Sequence, residues 1–101
     1  NVINIPGSWA ELSATAMIAT AMQRGVSQGW LESFYQLVVD QAWSGVLTYT
    51  DEDYGFVNVC ESTPGQASLQ VYLNRKALTG RDDRAGGMML MFATERLASM
   101  Q

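Results

Sequence analysis

The chain has 101 residues, of which 48% are hydrophobic and only 16% are charged, against roughly 25% in an average soluble domain. This length predicts a single domain, residues 1–101, and the hydrophobic content excludes an intrinsically disordered chain. The net charge of −4 argues against nucleic acid as a partner, because phosphate binding depends on Lys and Arg. Without histidine, neither a Ser–His or Cys–His nucleophilic pair nor a zinc site with imidazole ligands can form.

The first predicted element is a helix that begins after Pro6-Gly7-Ser8. Ser8 is expected to cap the amide of Glu11 while the Glu11 carboxylate reaches back, as in a capping box. The helix is predicted to run to residue 23 or 24, where Gly25 would supply a left-handed terminating residue. Apolar side chains occupy more than one side of this helix, which favours burial on two faces and a homodimer seam.

The second predicted helix covers residues 28–43 and is the most clearly amphipathic segment of the sequence. Its apolar residues follow helical spacing, which places them on one face. They are Leu31, Phe34, Tyr35, Val38 and Ala42. Ser44-Gly45 is expected to end the helix.

A change to period-two alternation then predicts three strands, at residues 46–50, 56–61 and 67–73. Short polar turns at residues 51–55 and 62–65 would join them into an antiparallel meander. Residues 74–85 are expected to form an exposed loop, and residues 88–100 a C-terminal helix packed on the sheet. The prediction is therefore an α+β fold with two N-terminal helices, a three-stranded antiparallel β-meander and a C-terminal helix.

Two local groups of residues suggest chemistry, and each has an alternative interpretation. Asp51-Glu52-Asp53 could hold a hard cation, but the following residues do not match an EF-hand, and a solvated turn is the alternative. Residues 80–87 combine Arg81 and Arg84 with Gly86-Gly87 before a helix, which suggests an anion site. Their spacing does not match a Walker motif, and a loop of paired Arg and Asp residues is the alternative. We therefore predict no metal site and no cofactor.

The lone Cys60 excludes an intrachain disulfide and favours a reducing, cytoplasmic location. The sequence shows no targeting leader and no apolar run of the roughly 18–20 residues that a membrane span requires. We therefore expect a cytoplasmic protein that does not enter the membrane.

The leading functional hypothesis is a non-catalytic protein-interaction module, a small acidic homodimer acting as an adaptor, inhibitor or chaperone-like factor. It depends on the excess of apolar side chains over what a core of this size can bury. The alternative is a small-molecule-binding domain or minor enzyme with an apolar pocket between sheet and helices, where Tyr49, Tyr54 or Tyr72 would supply polar contacts. The candidate binding residues are Trp9, Met22, Trp30, Tyr54, Arg81 and Arg84. No catalytic residue is predicted.

Overall fold

The computed structural model describes residues 5–6, 8–50, 55–60 and 64–101. Helices form most of this part of the chain, and two short strands pair with each other. In chain order the elements are α1 (Leu12–Ser27), a 3₁₀ turn (Ser33–Tyr35), α2 (Gln36–Thr48), β1 (Phe56–Cys60), α3 (Leu69–Leu73), β2 (Ala77–Gly80) and α4 (Asp83–Ser99).

Helix α1 occupies the centre of the fold and contacts α2, α4 and β1. Helices α1, α2 and α4 and strand β1 all contribute to one hydrophobic core. Its fully buried or nearly buried apolar members are Leu12, Ala16, Ala19, Val39, Val46, Val59, Ala85, Met89 and Phe92. Arg24 and Glu95 form an ion pair of 2.8 Å near the C-terminal ends of α1 and α4. These two helices therefore run side by side in the same direction.

The predicted three-stranded meander is wrong, and the fold-class prediction built on it fails with it. Residues 46–48 continue α2, and residues 69–73 form the short helix α3. The strand prediction at residues 56–61 is confirmed as β1, but its partner is β2, from the segment predicted to be a loop. The turns at residues 51–55 and 62–65 lie largely outside the described residues.

The second helix continues past Ser44-Gly45 because its buried positions keep helical spacing. Val39 and Val46 are seven residues apart, and both are almost completely buried. Gly45 lies in the helix at a cost of about 1 kcal/mol relative to Ala, which this packing outweighs. Tertiary packing therefore outweighs the strand propensity of the β-branched residues near position 46.

The predicted helix boundaries also need correction at both ends of α1. Glu11, not Ser8, is the N-cap, and its carboxylate accepts hydrogen bonds from the backbone amides of Ser13 and Ala14. At the other end, the amide of Trp30 donates to the carbonyl of Gly25, and that of Gly29 donates to Val26. This is a Schellman motif, and its left-handed residue is Gly29, with φ of 75°, rather than Gly25.

Gly25 serves a different purpose, close packing inside the helix. A Cβ atom at this position would lie 2.9 Å from both Cγ and Cδ1 of Leu31, whereas one at Gly45 would meet nothing within 4 Å. We expect Gly25→Ala to lower the free energy of unfolding by about 1–3 kcal/mol through overpacking. Gly45→Ala should raise it by about 0.5–1 kcal/mol. Urea denaturation of both variants checks this, and equal stabilisation by the two would contradict it.

The C-terminal helix begins at Asp83, five residues before the predicted start, and packs on α1 rather than on the sheet. Met89 and Phe92 are buried, as their spacing indicates, but Leu97 and Met100 are 60% and 70% exposed. The apolar face of α2 is likewise displaced, since Val39 is buried while Val38 is exposed. Residues 33–35 form a 3₁₀ turn, so α2 begins at Gln36 rather than at the predicted residue 28.

Candidate functional site

A shallow cleft of about 200 Å³ lies where β2 ends and α4 begins. Apolar, hydroxyl, cationic and anionic groups meet in it. Its lining residues are Val59, Leu78, Thr79, Gly80, Arg81 and Asp82. Small-molecule sites commonly combine an apolar wall with a few polar groups that fix orientation, so this cleft is the candidate site.

The pairing of the two strands creates one side of the cleft. Val59 and Leu78 are partners in the antiparallel register, so their side chains lie on the same face of the ribbon. The register is irregular between Phe56 and Val59, and Asn58 adopts a left-handed conformation with φ of 60°. Gly80, with φ of 116°, redirects the chain from β2 toward α4. Together these features place an apolar pair beside the polar start of a helix.

Asp82 is a structural part of the cleft wall. Its Oδ1 accepts hydrogen bonds of 3.0 Å from the amides of Arg84 and Ala85, and so caps α4. Its Oδ2 lies 2.9 Å from the Arg84 guanidinium, and this pairing, with the amide bonds, holds the pKa of Asp82 below its usual range. A carboxyl group that is firmly ionised near neutral pH is unsuited to act as a general acid.

We expect Asp82→Ala to lower the free energy of unfolding by about 1 kcal/mol, the usual loss for an N-cap. Asp82→Asn keeps an oxygen that can accept the amide hydrogen bonds. It removes only the ion pair with Arg84, whose side chain is 54% exposed. Its effect should therefore be smaller, because exposed ion pairs contribute little. Urea denaturation of both variants compares the two losses, and a larger loss in the Asn variant would contradict this assignment.

Arg81 and Asp83 are exposed charged residues on either side of Asp82. Arg81 lines it, and within the described part of the chain its guanidinium has no ion-pair partner. Asp83 is the first residue of α4, where its charge interacts favourably with the helix dipole. Because Asp82 and Asp83 are consecutive at a helix start, their carboxylates do not face each other. The pair therefore does not supply two opposed carboxyl groups for general acid–base catalysis.

The other carboxylates on the described helices are held away from the cleft. Asp40 pairs with Arg96 at 2.9 Å, and Glu95 pairs with Arg24. Each arginine, by its hydrogen bond, lowers the pKa of its carboxylate partner. Among the residues that the structure describes, no three His, Cys, Asp or Glu side chains converge as a metal centre. No helix in the same residues is long and apolar enough to cross a membrane.

The candidate binding residues from the sequence do not form one site. Trp9 is half-buried and donates its indole N–H to the Arg75 carbonyl at 3.2 Å. Met22 packs against the core, whereas Trp30 is 73% exposed in the turn after α1. Tyr54 lies outside the described residues. These positions therefore stay predictions as binding residues.

Arg81 and Arg84 lie close together in sequence but have different surroundings. Arg81 lines the cleft, whereas Arg84 pairs with Asp82. Sequence reasoning missed the other cleft residues because the segment before Arg81 contains the unpredicted strand β2. The available signal was the apolar pair Ala77-Leu78 followed by Gly80, which is typical of a short strand ending in a turn.

The fold is shared with solved structures described as members or possible members of glycoside hydrolase family 105. A possible member of glycoside hydrolase family 105 from Salmonella enterica superposes with a TM-score of 0.88 at 21% identity, over 98% of this chain and 26% of that one. A family 105 glycoside hydrolase from C. acetobutylicum superposes with a TM-score of 0.77 at 19% identity, over 93% of this chain and 29% of that one. A possible member of the same family from Klebsiella pneumoniae superposes with a TM-score of 0.76 at 19% identity, over 94% of this chain and 25% of that one.

The sequence itself identifies the family. Residues 2–100 match the family model described as Glycosyl Hydrolase Family 88, so the chain belongs to this family. No curated protein matches the sequence. The chain spans only about a quarter of the length of the solved structures it matches.

This membership overturns the leading functional hypothesis drawn from the sequence. A non-catalytic adaptor, inhibitor or chaperone-like factor is wrong, because residues 2–100 match a glycosyl hydrolase family. The alternative of a small-molecule-binding domain or minor enzyme with an apolar pocket between sheet and helices is not tested by this match. The cleft described above lies at the end of β2 and carries Thr79, Arg81 and Asp82. The composition argument failed because it treated exposed apolar residues as evidence for one function only.

Proposed function

We propose that this chain is part of an enzyme that hydrolyses glycosidic bonds, and that the cleft beside α4 contacts the sugar. The match of residues 2–100 to a glycosyl hydrolase family carries the proposal. The cleft supports it, because the Thr79 hydroxyl and the Arg81 guanidinium can contact the polar edges of a sugar ring and the half-buried Leu78 its apolar face.

In this proposal the cleft residues bind the sugar, and they do not carry out the cleavage step. Glycosidases commonly use two carboxyl groups on opposite sides of the scissile bond, one of which must be protonated to act as an acid. Asp82 does not fit the acid role because its pKa is lowered by Arg84. Glu11 is engaged in capping α1, and Asp40 and Glu95 lie in ion pairs between helices. The catalytic pair of the proposed enzyme therefore draws on residues other than these four.

The position of Arg81 in the cleft predicts a substrate preference that can be measured. Its exposed guanidinium lines the cleft and has no ion-pair partner within the described ranges, so it can receive an anionic group. We expect sugars that carry a carboxylate to bind more tightly than neutral sugars of the same size. An ion pair of this kind should weaken as salt is added.

The experiment measures new reducing ends after the protein, as isolated from its source cells, is incubated with matched neutral and acidic oligosaccharides. Cleavage of at least one substrate is expected, with Arg81→Ala raising KM for acidic substrates by about tenfold, equivalent to about 1.4 kcal/mol. Lys76→Ala removes an exposed charge outside the cleft and serves as the control. If the folded protein cleaves none of these substrates, the proposed activity fails. If Arg81→Ala and Lys76→Ala behave alike, only the assignment of the cleft fails.

A further inference from the structure

Strand β1 contains one more residue than the segment of β2 with which it pairs. Phe56 is the partner of Gly80, and Val59 is the partner of Leu78, so three steps along β1 match two steps along β2. This is a β-bulge, and within it Asn58 adopts the left-handed conformation. Asn58 is the only residue other than glycine with a positive φ in the part of the chain that the structure describes. Such a conformation is costly for a residue with a Cβ atom and persists where the surrounding structure requires it.

The bulge turns two large side chains of β1 toward the core. Partners in an antiparallel pair lie on the same face, so Phe56 and Val59 share a face although they are three residues apart. Val59 is almost completely buried, and Phe56 and Leu78 pack against the same core. In a strand without a bulge, residues three apart lie on opposite faces. One of Phe56 and Val59 would then turn away from the core.

The backbone amides of β1 give a second, independent reason for the bulge. The amide of Val57 donates to the carbonyl of Tyr49 at 2.8 Å, and the amide of Cys60 donates to Oε1 of Glu11 at 2.9 Å. Neither acceptor belongs to β2, so both amides point to the other edge of β1. In a strand without a bulge, amides three residues apart point to opposite edges, because the bonds of an antiparallel pair alternate. The extra residue therefore lets β1 pair with β2 while its outer edge bonds the start of α1 and the end of α2.

The side chain at position 58 opposes one alignment in particular, which we call the straight alignment. In it, Phe56 would stay opposite Gly80 without a bulge, and residue 58 would lie opposite Leu78 and face the core. An asparagine amide in that position would be costly to bury. Asparagine also enters the left-handed conformation more readily than β-branched residues do. Asn58 therefore favours the bulge over the straight alignment in two ways.

We propose that Asn58 is a positioning residue for the cleft. By holding the bulge, it keeps Val59 against Leu78 in the apolar wall. Thr79 and Arg81 continue from that wall and supply the hydroxyl and the guanidinium. Bulges are common beside active sites, where they redirect side chains. The effect on sugar binding rests on the proposed function, whereas the effect on strand register can be measured without any activity.

The thiol of Cys60 reports the register of β1 directly. In the bulged strand Cys60 is the partner of Ala77, whereas in the straight alignment it would lie opposite Lys76. Ala77→Cys and Lys76→Cys are introduced separately into the protein as its source cells make it, and each variant is treated with a mild oxidant after isolation. Peptide mass spectrometry then measures the fraction bonded to Cys60. Ala77→Cys should be bonded at least about tenfold more, because only partners on the same face have the geometry of a disulfide.

Asn58→Val is expected to shift this preference, since it places an apolar side chain at the core-facing position of the straight alignment and disfavours the left-handed conformation. The ratio of Ala77→Cys to Lys76→Cys bonding should fall at least about fivefold. KM for the acidic oligosaccharides of the cleavage assay should rise at least about fivefold, with kcat changed less than about twofold, because only binding is affected. Asn58→Gly is the matched control, since glycine adopts the left-handed conformation freely, and it should retain both the ratio and KM.

Two results would overturn the proposal. One is an unchanged disulfide ratio in Asn58→Val, whatever happens to KM, and the other is a changed ratio with an unchanged KM. If Asn58→Val does not fold, Asn58→Ala replaces it, because alanine also disfavours the left-handed conformation and should change the ratio in the same direction. If the protein cleaves no oligosaccharide, the proposed function fails, and the disulfide ratio alone decides whether Asn58 sets the register of β1.

Discussion

Phe92→Ala is expected to lower the free energy of unfolding by about 3–5 kcal/mol, the usual loss for a buried phenylalanine. Phe92 is completely buried and is the largest fully buried side chain of the described residues. It also makes an edge contact with Trp43, with ring centroids 5.3 Å apart. Its removal would leave a cavity where α4 meets α2 and would remove an aromatic pair, and both effects destabilise the fold.

Phe34→Ala is the matched control, because it deletes the same atoms from an exposed position. Phe34 is 56% exposed and stacks on Tyr35 at 4.3 Å. Its loss should cost no more than about 1.5 kcal/mol, the upper value for an aromatic pair. Urea denaturation of both variants gives the comparison. If Phe34→Ala lowered the free energy of unfolding as much as Phe92→Ala, this would contradict a core formed where α1, α2 and α4 meet.

The sequence predicts the helical parts of this fold better than its strands. The apolar spacing correctly places Met89 and Phe92 on the buried side of the last helix, but it also places Leu97 and Met100 there, and these two are exposed. Period-two alternation, in contrast, predicts a strand at position 46, although Val46 lies seven residues after Val39 and is buried on the same side of α2. Short apolar segments fit either period, and only the partner against which they pack decides between them. The α+β prediction depended on three such segments.

The candidate site was less predictable than the fold. The sequence predicts Arg81 and Arg84 as possible anion-binding residues, with a loop of paired Arg and Asp residues as the alternative, but it does not predict that Asp82 caps a helix. Asp82 caps α4 and pairs with Arg84, because the helix begins at the next residue, Asp83, and its first amides orient the Asp82 carboxylate. The cleft also needs Val59, twenty or so residues away in sequence, and only the strand register brings it near Leu78. No local pattern could have indicated that contact.

The predicted homodimer, the cytoplasmic location and the single-domain organisation stay predictions. The apolar excess on which the first of them depends is visible as large exposed side chains on α1, α2 and α4. That excess is a property of the chain, but its meaning depends on what surrounds the chain. A second copy and a longer polypeptide would both cover it, so composition could not distinguish an adaptor from part of an enzyme.

The carboxylate of Glu11 joins two elements that are distant in sequence. It caps α1 through the amides of Ser13 and Ala14, and its Oε1 also accepts the amide of Cys60 in β1 at 2.9 Å. Glu11→Ala removes the cap, at about 0.5–2 kcal/mol, and leaves the Cys60 amide without this acceptor, at about 1–3 kcal/mol. We therefore expect a total loss of about 1.5–5 kcal/mol in the free energy of unfolding, measured by urea denaturation.

The pH dependence of Glu11 provides a sharper test of the same contact. Burial raises the pKa of its carboxyl group, but the hydrogen bonds from Cys60, Ser13 and Ala14 outweigh burial and hold it below its ordinary value of 4.5. Because the folded pKa is lower than the unfolded one, the stabilisation is fully present above the unfolded pKa. It is lost as the pH falls through the folded pKa.

Glu11→Gln separates the charge from the geometry, since its amide oxygen can accept some of the same hydrogen bonds but does not titrate. The difference in stability between the original chain and Glu11→Gln should be largest near neutral pH and should shrink as the pH falls below 4.5. Asp40, Asp82 and Glu95 also have lowered pKa values and destabilise the fold in acid, but they do so in both proteins and cancel in the difference. A difference that stays constant from neutral pH to strong acid would mean that the ionised carboxylate contributes nothing to the junction of α1 and β1.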